Sequence, residues 1–254
     1  MPRSGRPDMP LPCGRLTVMS WQPVATGRSG AVVSRGPGVF RKEALDPRED
    51  LRAEAERLAW LGAHGIPVPE VLDADRTFLL TREVAGRTAA DHWPTESRPR
   101  VIDALARVTR DLHALPLEDC PFDRRLEVSI PEAMEAQVDL ADLDPERRGW
   151  SRERLVAELL SDRPEQEDLV VCHGDLCLPN VLVDPDSFAV TGVIDAGRLG
   201  IADRWTDLAI ATRSLASPQN PQFGEWAAQR YLTAYGVSLD IQKCDYYRLL
   251  DEFF

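Results

Sequence analysis

The sequence predicts an α+β protein of two lobes, a smaller strand-rich lobe followed by a larger and mostly helical one. Residues 16–45 alternate short apolar runs with Gly and Ser, a pattern typical of antiparallel strands. Beyond Gly86 the apolar residues mostly follow helical periodicity, and strands are expected again within 170–200. Strands that precede helices indicate the α+β class. We expect the lobe boundary at Gly86, which divides the chain into residues 1–86 and 87–254.

Three segments of the smaller lobe predict strands, and one longer segment predicts a helix. The strand segments are VATGRSGAVVS, which suits a hairpin with a flexible turn, GVFRKEA and TFLLTREVAG. In DPREDLRAEAERLAWLGAHGIPVP, Asp46 suits the N-cap, Pro47 suits the first helical position, and Glu49 has the spacing of a capping box. Gly65 and Pro67 are expected to end this helix.

A helix of the larger lobe is predicted by a stripe of apolar residues in SRPRVIDALARVTRDLHALP. The stripe consists of Val101, Leu105, Val108, Leu112 and Leu115. The region 131–168 is rich in Asp and Glu and is expected to contain helix and loop, and 203–254 returns to helix.

Composition and charge narrow the class of protein. Of the 254 residues, 43% are hydrophobic, which suffices for a core, and no apolar run is long enough to span a membrane. Five cysteines argue against a disulfide scaffold and fit a reducing cytoplasm, and the loose polar tail 1–15 lacks the apolar core of a signal peptide. The net charge of -12 disfavours nucleic acid and favours a cationic partner, although solubility alone also explains such a charge.

Glu54 is a carboxylate on the apolar face of its predicted helix, between Leu51 and Leu58. Burying a carboxylate without a partner is costly, so a buried Glu54 would need a cation. Lys42 lies on the preceding strand and is the obvious candidate. The alternative is that Glu54 lies at the edge of the apolar stripe and reaches water.

A second polar group lies at the ends of predicted strands in VVCHGDLCLPNVLVDPDSFAVTGVIDAGRLG. Asp175 follows a Val-rich strand, Asn180 comes five residues later, and Asp195 ends a further strand. Asp and Asn oxygens suit Mg²⁺, and a carboxylate free of metal can accept or orient a hydroxyl proton. The set therefore suits phosphoryl transfer to an alcohol. The alternative is turn chemistry, although the combination with Lys42 and Glu54 favours the kinase interpretation.

Cys172, His173 and Cys177 have the composition of a zinc site. Neighbouring residues of a strand point to opposite faces, however, and no second cysteine pair follows at zinc-site spacing. We therefore reject zinc and expect His173 to brace its loop through hydrogen bonds. His113 adjoins an apolar stripe and is expected at a helix edge.

Three motifs resemble those of the aminoglycoside 3'-phosphotransferases: CHGDLCLPNVLVD, GVIDAGRLGIADRWTDLAIATRSL and the closing YYRLLDEFF. His-Gly-Asp with a later Asn indicates small-molecule kinases in general, whereas IDAGRLG and LLDEFF narrow the resemblance to the aminoglycoside group. The resemblance runs from about Ser20 to Phe254. It implies a bilobal, protein-kinase-like fold that uses ATP and Mg²⁺ to phosphorylate a sugar hydroxyl.

The resemblance also implies roles for the polar residues described above. Asp175 matches the catalytic aspartate that faces the acceptor hydroxyl, while Asn180 and Asp195 match the two magnesium ligands. Lys42 matches the lysine that contacts the α- and β-phosphates of ATP, and Glu54 matches its ion-pair partner.

Further residues match the family's ATP site. Ser29 and Gly30 fall in the loop that covers the phosphates, and Phe40 matches an aromatic residue that stacks on adenine. Arg82 and Val84 match the hinge, where backbone groups bind the edge of the adenine ring.

The acceptor side implied by the resemblance is a cluster of carboxylates, as binding of a polycation requires. Two arginines are expected to hold these carboxylates in place. The acidic residues, followed by the arginines, are Asp142, Asp144, Asp251, Glu252, the terminal carboxylate of Phe254, Arg198 and Arg213.

The resemblance implies transfer of the ATP γ-phosphoryl group to the 3'-hydroxyl of a kanamycin- or neomycin-type antibiotic, which would confer resistance. No nucleic acid, membrane or obligate protein partner is expected. A kinase for another alcohol, such as choline, homoserine or a macrolide, is an alternative that the C-terminal acidic clamp disfavours. A non-catalytic nucleotide-binding protein is a second alternative. A protein kinase fits less well, because 87–168 shows no activation-loop or peptide-docking signature.

Overall fold

The computed structural model describes residues 20–24, 31–46 and 50–254. The predicted tail 1–15 and the phosphate-loop residues Ser29 and Gly30 lie outside these ranges. Within them, the protein is a five-stranded sheet with one helix, followed by a helical lobe that carries two small sheets. This architecture confirms the α+β class predicted from the order of strands and helices.

The smaller lobe is an antiparallel sheet with the spatial order β1-β2-β3-β5-β4. Its strands are β1 Gln22–Val24, β2 Ala31–Gly36, β3 Val39–Ala44, β4 Val71–Ala74 and β5 Phe78–Arg82. The predicted strand segments fall on β1, β2, β3 and β5, while the short β4 has no counterpart among them. On the central strand β3, Lys42 lies opposite Val33 of β2 and Leu79 of β5. Strands on both sides therefore support the backbone of Lys42.

Helix α1, Leu51–Ala63, packs against this sheet and begins later than the sequence predicts. Its N-cap is Asp50, whose carboxylate accepts a 3.3 Å hydrogen bond from the backbone N–H three residues further on. The predicted start with Asp46 as N-cap is therefore wrong, because Asp50 supplies the same acceptor one turn later. Pro47 and Glu49 of the predicted capping box lie outside the described residues.

The end of α1 and its apolar face agree with the sequence pattern. Gly65 has a φ of 83°, a left-handed conformation that glycine adopts without the steric cost of a Cβ, and it ends the helix as predicted. Leu51, Leu58 and Leu61 are buried, and Glu54 is buried among them with 5% of its surface exposed. The alternative in which Glu54 reaches water is therefore wrong.

The larger lobe is formed mainly by helices. They are α2 Arg98–His113, α3 Leu126–Glu135, α4 Arg152–Ser161, α5 Trp205–Ala216, α6 Glu225–Tyr235 and α7 Ile241–Asp251. Helix α6 packs against α2, and α5 packs against both α6 and α7. The predicted stripe of α2 is confirmed, since Val101, Leu105, Val108 and Leu112 are buried; Leu115, beyond the helix end, is partly buried.

Two small antiparallel sheets bring the polar loops of the larger lobe together. The first pairs β7 with β10, and the second has the order β6-β8-β9. Their strands are β6 Arg87–Thr88, β7 Leu169–Cys172, β8 Val181–Val183, β9 Val190–Val193 and β10 Gly200–Asp203. The β7–β8 loop and the β9–β10 loop consequently lie side by side. The lobe boundary at Gly86 stays a prediction.

Among the helices that the structure describes, none is long and apolar enough to cross a bilayer.

Candidate active site

The β7–β8 loop carries Asp175 and is anchored by Asp207 of α5. The Asp207 carboxylate is fully buried and accepts 2.8 Å hydrogen bonds from the backbone N–H groups of His173 and Gly174. The His173 ring contacts the Ile194 carbonyl through Nε2 at 3.0 Å, and its Nδ1 accepts from the backbone N–H of Asp175 at 3.2 Å. The predicted bracing role of His173 is confirmed.

Gly174 allows the β9–β10 loop to approach Asp175. Its φ is 87°, and a Cβ at this position would lie 2.3 Å from the Arg198 carbonyl oxygen. Only glycine fits such a close approach of two backbones. The guanidinium of Arg198 lies 3.5 Å from the Asp175 carboxylate as a result.

Asn180 links the two loops. Its side-chain N–H₂ group donates to the backbone carbonyl of Asp175 at 2.9 Å and to the Asp175 carboxylate at 3.0 Å. Its backbone carbonyl accepts from Ile194 at 3.0 Å, one residue before Asp195. The structure therefore brings together the three strand-end residues that the sequence placed in one group.

Lys42 reaches from the small lobe to the same point. Its ammonium lies 2.9 Å from the Glu54 carboxylate and 2.8 Å from that of Asp195, which confirms the predicted pairing with Glu54. Although burial lowers the pKa of Lys42, these two carboxylates outweigh it and raise the pKa above its ordinary value. Burial likewise opposes ionisation of Asp195, but Lys42 holds the pKa of that carboxyl below its usual range. A charged ammonium consequently lies on the wall of the cleft, next to Asp195.

Asn180 and Asp195 fit a magnesium ion. The Asn180 amide nitrogen donates to Asp175, which leaves the amide oxygen as the side-chain atom that can coordinate a metal ion. Asp195 has a φ of 62°, uncommon for a residue other than glycine, in the loop that faces Asn180. One amide oxygen and one ionised carboxylate, beside a substrate phosphate, match the preference of Mg²⁺ for few protein ligands.

The residues predicted to bind adenine lie on the wall of the same cleft. Phe40 of β3, Arg82 at the end of β5 and Val84 beyond it all line a cavity of about 2010 Å³. A cavity of this size exceeds the roughly 300–1,000 Å³ usual for one small ligand, so it offers room for a nucleotide and an acceptor.

Two arginines hold the acidic residues on the acceptor side of the cleft. Arg213 pairs with Asp144 at 2.8 Å and with Asp251, and Arg198 pairs with Asp251 at 2.7 Å. Burial opposes ionisation of Asp251, but Arg198 and Arg213 keep its pKa below the usual range. Arg198 thus connects Asp175 to Asp251 in one chain of ion pairs, which agrees with the bracing work expected of both arginines.

The remaining acceptor residues line the same cavity. Glu252, which follows α7, accepts a 3.0 Å hydrogen bond from the backbone N–H of Asp144, so the end of α7 is joined to the loop that contains Asp144. Asp142 of that loop also lines the cavity, and so does Phe254, whose ring centroid lies 5.9 Å from the guanidinium carbon of Arg198. The structure therefore assembles the predicted acceptor residues in one region, while their roles stay predictions.

Comparison with known proteins supplies the family. The model of the phosphotransferase enzyme family matches residues 20–241. The aminoglycoside 3'-phosphotransferase of Streptomyces fradiae is 49% identical and covers 92% of this chain and 95% of its own. The chain belongs to this family. The protein-kinase-like fold and the family resemblance predicted from the three motifs are thereby confirmed.

Solved structures of family members agree with the fold of this phosphotransferase chain. An aminoglycoside 3'-phosphotransferase of type VIII is 47% identical, covers 95% of this chain and 96% of its own, and superposes with a TM-score of 0.85. An aminoglycoside phosphotransferase from Streptomyces rimosus, solved with ADP and streptomycin, is 34% identical, covers 92% of each chain and has a TM-score of 0.78.

Asp207 and its contact with His113 were not predicted from the sequence. His113 is the last residue of α2 and is partly buried; only 3% of its side chain is exposed, and its ring contacts the Asp207 carboxylate at 3.1 Å and the Tyr235 hydroxyl at 2.8 Å. The polar ring is tolerated there because both nitrogens have partners. The useful signal in the sequence is Asp207 itself, a carboxylate on an otherwise apolar helix face.

His113, Asp207 and Cys172 bring their donor atoms within 4.8 Å of one another, but the cluster does not suit a metal. The Asp207 carboxylate is already occupied by His113 and two backbone amides. Burial raises the pKa of the Cys172 thiol well above its usual value, whereas a zinc ligand must be a thiolate. The cluster is therefore a hydrogen-bonded anchor for the β7–β8 loop.

Proposed function

We propose that the protein transfers the γ-phosphoryl group of ATP to the 3'-hydroxyl of kanamycin- and neomycin-type aminoglycosides, and so confers resistance to them. The observation that carries the proposal is a single cleft with a Lys42–Glu54–Asp195 cluster at one side of Asp175 and an arginine-held acidic cluster at the other. The first suits a nucleotide phosphate, and the second suits a polycation. The requirement for ATP and the free cysteines among the described residues support action in the cytoplasm.

Asp175 is the proposed catalytic residue. Its carboxylate is held by Asn180 and Arg198 at the junction of the two clusters, and it remains partly open to the cleft. It would accept a hydrogen bond from the acceptor hydroxyl and orient the oxygen towards the γ-phosphorus. Positioning and neutralisation of charge supply most of the rate in such transfers.

Lys42 would hold the α- and β-phosphates, and Glu54 would keep its ammonium in place. Asn180 and Asp195 would hold Mg²⁺. When bound, this ion would neutralise charge on the phosphate oxygens.

The decisive experiment is a coupled ADP-release assay with purified protein over a panel of alcohols, followed by NMR of the product. We expect turnover with kanamycin and neomycin and a phosphate on the 3'-oxygen. A 3'-deoxy aminoglycoside is the matched control, because it keeps the cationic charge and lacks the reacting hydroxyl.

Other outcomes of this panel would contradict the proposal. Turnover of streptomycin alone would assign the chain to the activity suggested by its relative from Streptomyces rimosus. Turnover of choline, homoserine or a macrolide alone would establish another small-molecule kinase. Binding of ATP without phosphorylation of any acceptor would favour a non-catalytic role.

A pH dependence is predicted from Glu252. Burial and the neighbouring Asp144 raise the pKa of Glu252 to about 7, so its carboxylate progressively loses its charge as the pH falls through that value. Acceptor binding should therefore weaken as the pH falls from 8 to 6. We expect the KM for the aminoglycoside to rise roughly fivefold, since a partly exposed ion pair is worth up to about 1 kcal/mol.

Glu252→Gln is the control for this prediction, because it removes the titrating carboxylate and leaves the protonation of the drug unchanged. The KM of the variant should lack the extra rise below pH 7 that the wild type shows. Parallel pH profiles for the two proteins would contradict the assignment of the effect to Glu252.

A further inference from the structure

One face of α1 is linked to both ends of the 195–199 segment of the β9–β10 loop, directly at one end and through Lys42 at the other. Glu54 and Arg57 are three residues apart, so their side chains lie on the same face of the helix. Through Lys42, Glu54 reaches Asp195 at the beginning of the segment. Arg57 reaches its end, where it donates through Nε to the Leu199 carbonyl at 3.1 Å.

The Arg57 guanidinium joins two backbone groups. Besides Leu199, it donates through Nη1 to the Ala53 carbonyl of its own helix at 3.0 Å. In the part of the chain that the structure describes, it has no ion pair, and its guanidinium carbon lies 4.9 Å from the centroid of the Phe122 ring. Its contacts are therefore those of a planar fork between two backbones, a geometry that lysine cannot reproduce.

The segment held by Arg57 is a compact turn. The backbone N–H of Leu199 donates to the Ala196 carbonyl at 3.0 Å, so a shift of Leu199 would be passed along the turn. The turn follows Asp195 and contains Arg198, which contacts Asp175 and Asp251. Its position therefore affects the nucleotide side and the acceptor side together.

A second contact fixes α1 on the larger lobe near the same place. The indole N–H of Trp60 donates to the Asp119 carbonyl at 3.0 Å, and its ring meets Phe122 edge-on with centroids 6.2 Å apart. Trp60 lies three residues beyond Arg57 on the helix. Because of this contact, we expect α1 to stay attached to the larger lobe when Arg57 is changed. The 195–199 turn would then lose its hydrogen bond to α1 and could shift.

We propose that Arg57 is a positioning residue that holds the 195–199 turn. Through this turn it keeps the proposed magnesium ligand Asp195, and Arg198, in place relative to Lys42. The inference rests on the proposed nucleotide and magnesium site. It goes beyond that site, because Arg57 touches neither ligand and acts across the two lobes.

The test measures how much Mg²⁺ strengthens ADP binding, by titration calorimetry without an acceptor. In the absence of Mg²⁺, Arg57→Gln should bind ADP as the wild type does. The factor by which Mg²⁺ strengthens ADP binding should be roughly tenfold smaller in the variant, the size of effect typical for mutation of a residue that supports a metal ligand. Arg57→Lys, which keeps one donor, should recover part of the effect. Arg52→Gln is the matched control, because Arg52 is an exposed arginine of the same helix that pairs with Glu56.

Three outcomes would overturn the proposal. The first is an unchanged effect of Mg²⁺ in folded Arg57→Gln. The second is an equal loss of ADP affinity with and without Mg²⁺, and the third is failure of both Arg57 variants to fold; either of these two would mean a purely structural role. Because no aminoglycoside is present, a failure of the proposed acceptor specificity leaves this result unaffected.

Discussion

Asp175→Asn is expected to fold and bind ADP normally while losing turnover by about a thousandfold, within the range typical for removal of a general base. The amide has nearly the shape of the carboxylate but cannot accept the hydroxyl proton as an anion would. The amide oxygen can still accept the hydrogen bond from Asn180, and only the 3.5 Å ion pair with Arg198 is lost, so the loop has no reason to unfold.

The effect of Asp175→Asn should be measured as kcat in the ADP-release assay, with ADP affinity and melting temperature measured in parallel. Asp186→Asn provides a control, since this aspartate is exposed in the turn between β8 and β9. A kcat within a few-fold of the wild type would remove Asp175 from its proposed role.

Asp207→Ala is expected to destabilise the fold by roughly 3–5 kcal/mol, because it leaves buried donors without an acceptor. The donors are the backbone N–H groups of His173 and Gly174 and the ring of His113. Urea unfolding followed by circular dichroism measures the loss. Asp103→Ala, which removes an exposed pair with Arg230, should cost under about 1 kcal/mol. Equal losses for the two variants would contradict the anchoring role of Asp207.

The same carboxylate predicts how stability depends on acid. Burial by itself raises the pKa of Asp207, but His113 and the backbone amides outweigh it and hold the pKa below its usual range. A lowered pKa stabilises the folded state above the ordinary carboxyl pKa, and this stability is lost as the pH falls through the lowered value. The free energy of unfolding of Asp207→Ala should therefore fall less steeply in acid than that of the wild type.

Local patterns were sufficient to predict the parts of the site that depend on short sequence distances. Glu54 lies on an apolar stripe, so the helix period indicated burial and the need for a cation, with an exposed place at the edge of the stripe as the alternative. Asp175 follows an apolar strand, Asn180 directly precedes one and Asp195 follows another, and the connections between them are short, so the three side chains are expected to lie close together.

Partners that are distant in sequence could not be predicted in the same way. His113 and Asp207 meet across 94 residues, and although Asp207 is a carboxylate on an apolar helix face, nothing in the sequence indicates which residue it contacts. The predicted start of α1 was also wrong. Asp46 and Asp50 both have a side chain suited to an N-cap, and the choice between them depends on where the chain leaves the sheet. Such contacts and helix boundaries depend on how the helices and strands pack, and the spacing of apolar residues along the sequence does not show that packing.

The chain of ion pairs from Asp175 through Arg198 to Asp251 affects how a protein of this kind can evolve. A mutation of Asp251 that admitted new drugs would also release the guanidinium beside Asp175, so a broader spectrum would come with slower turnover. Glu252 instead contacts the backbone of Asp144. Under selection by an unfamiliar antibiotic, adaptive substitutions should therefore accumulate first at Glu252, with Asp251 retained.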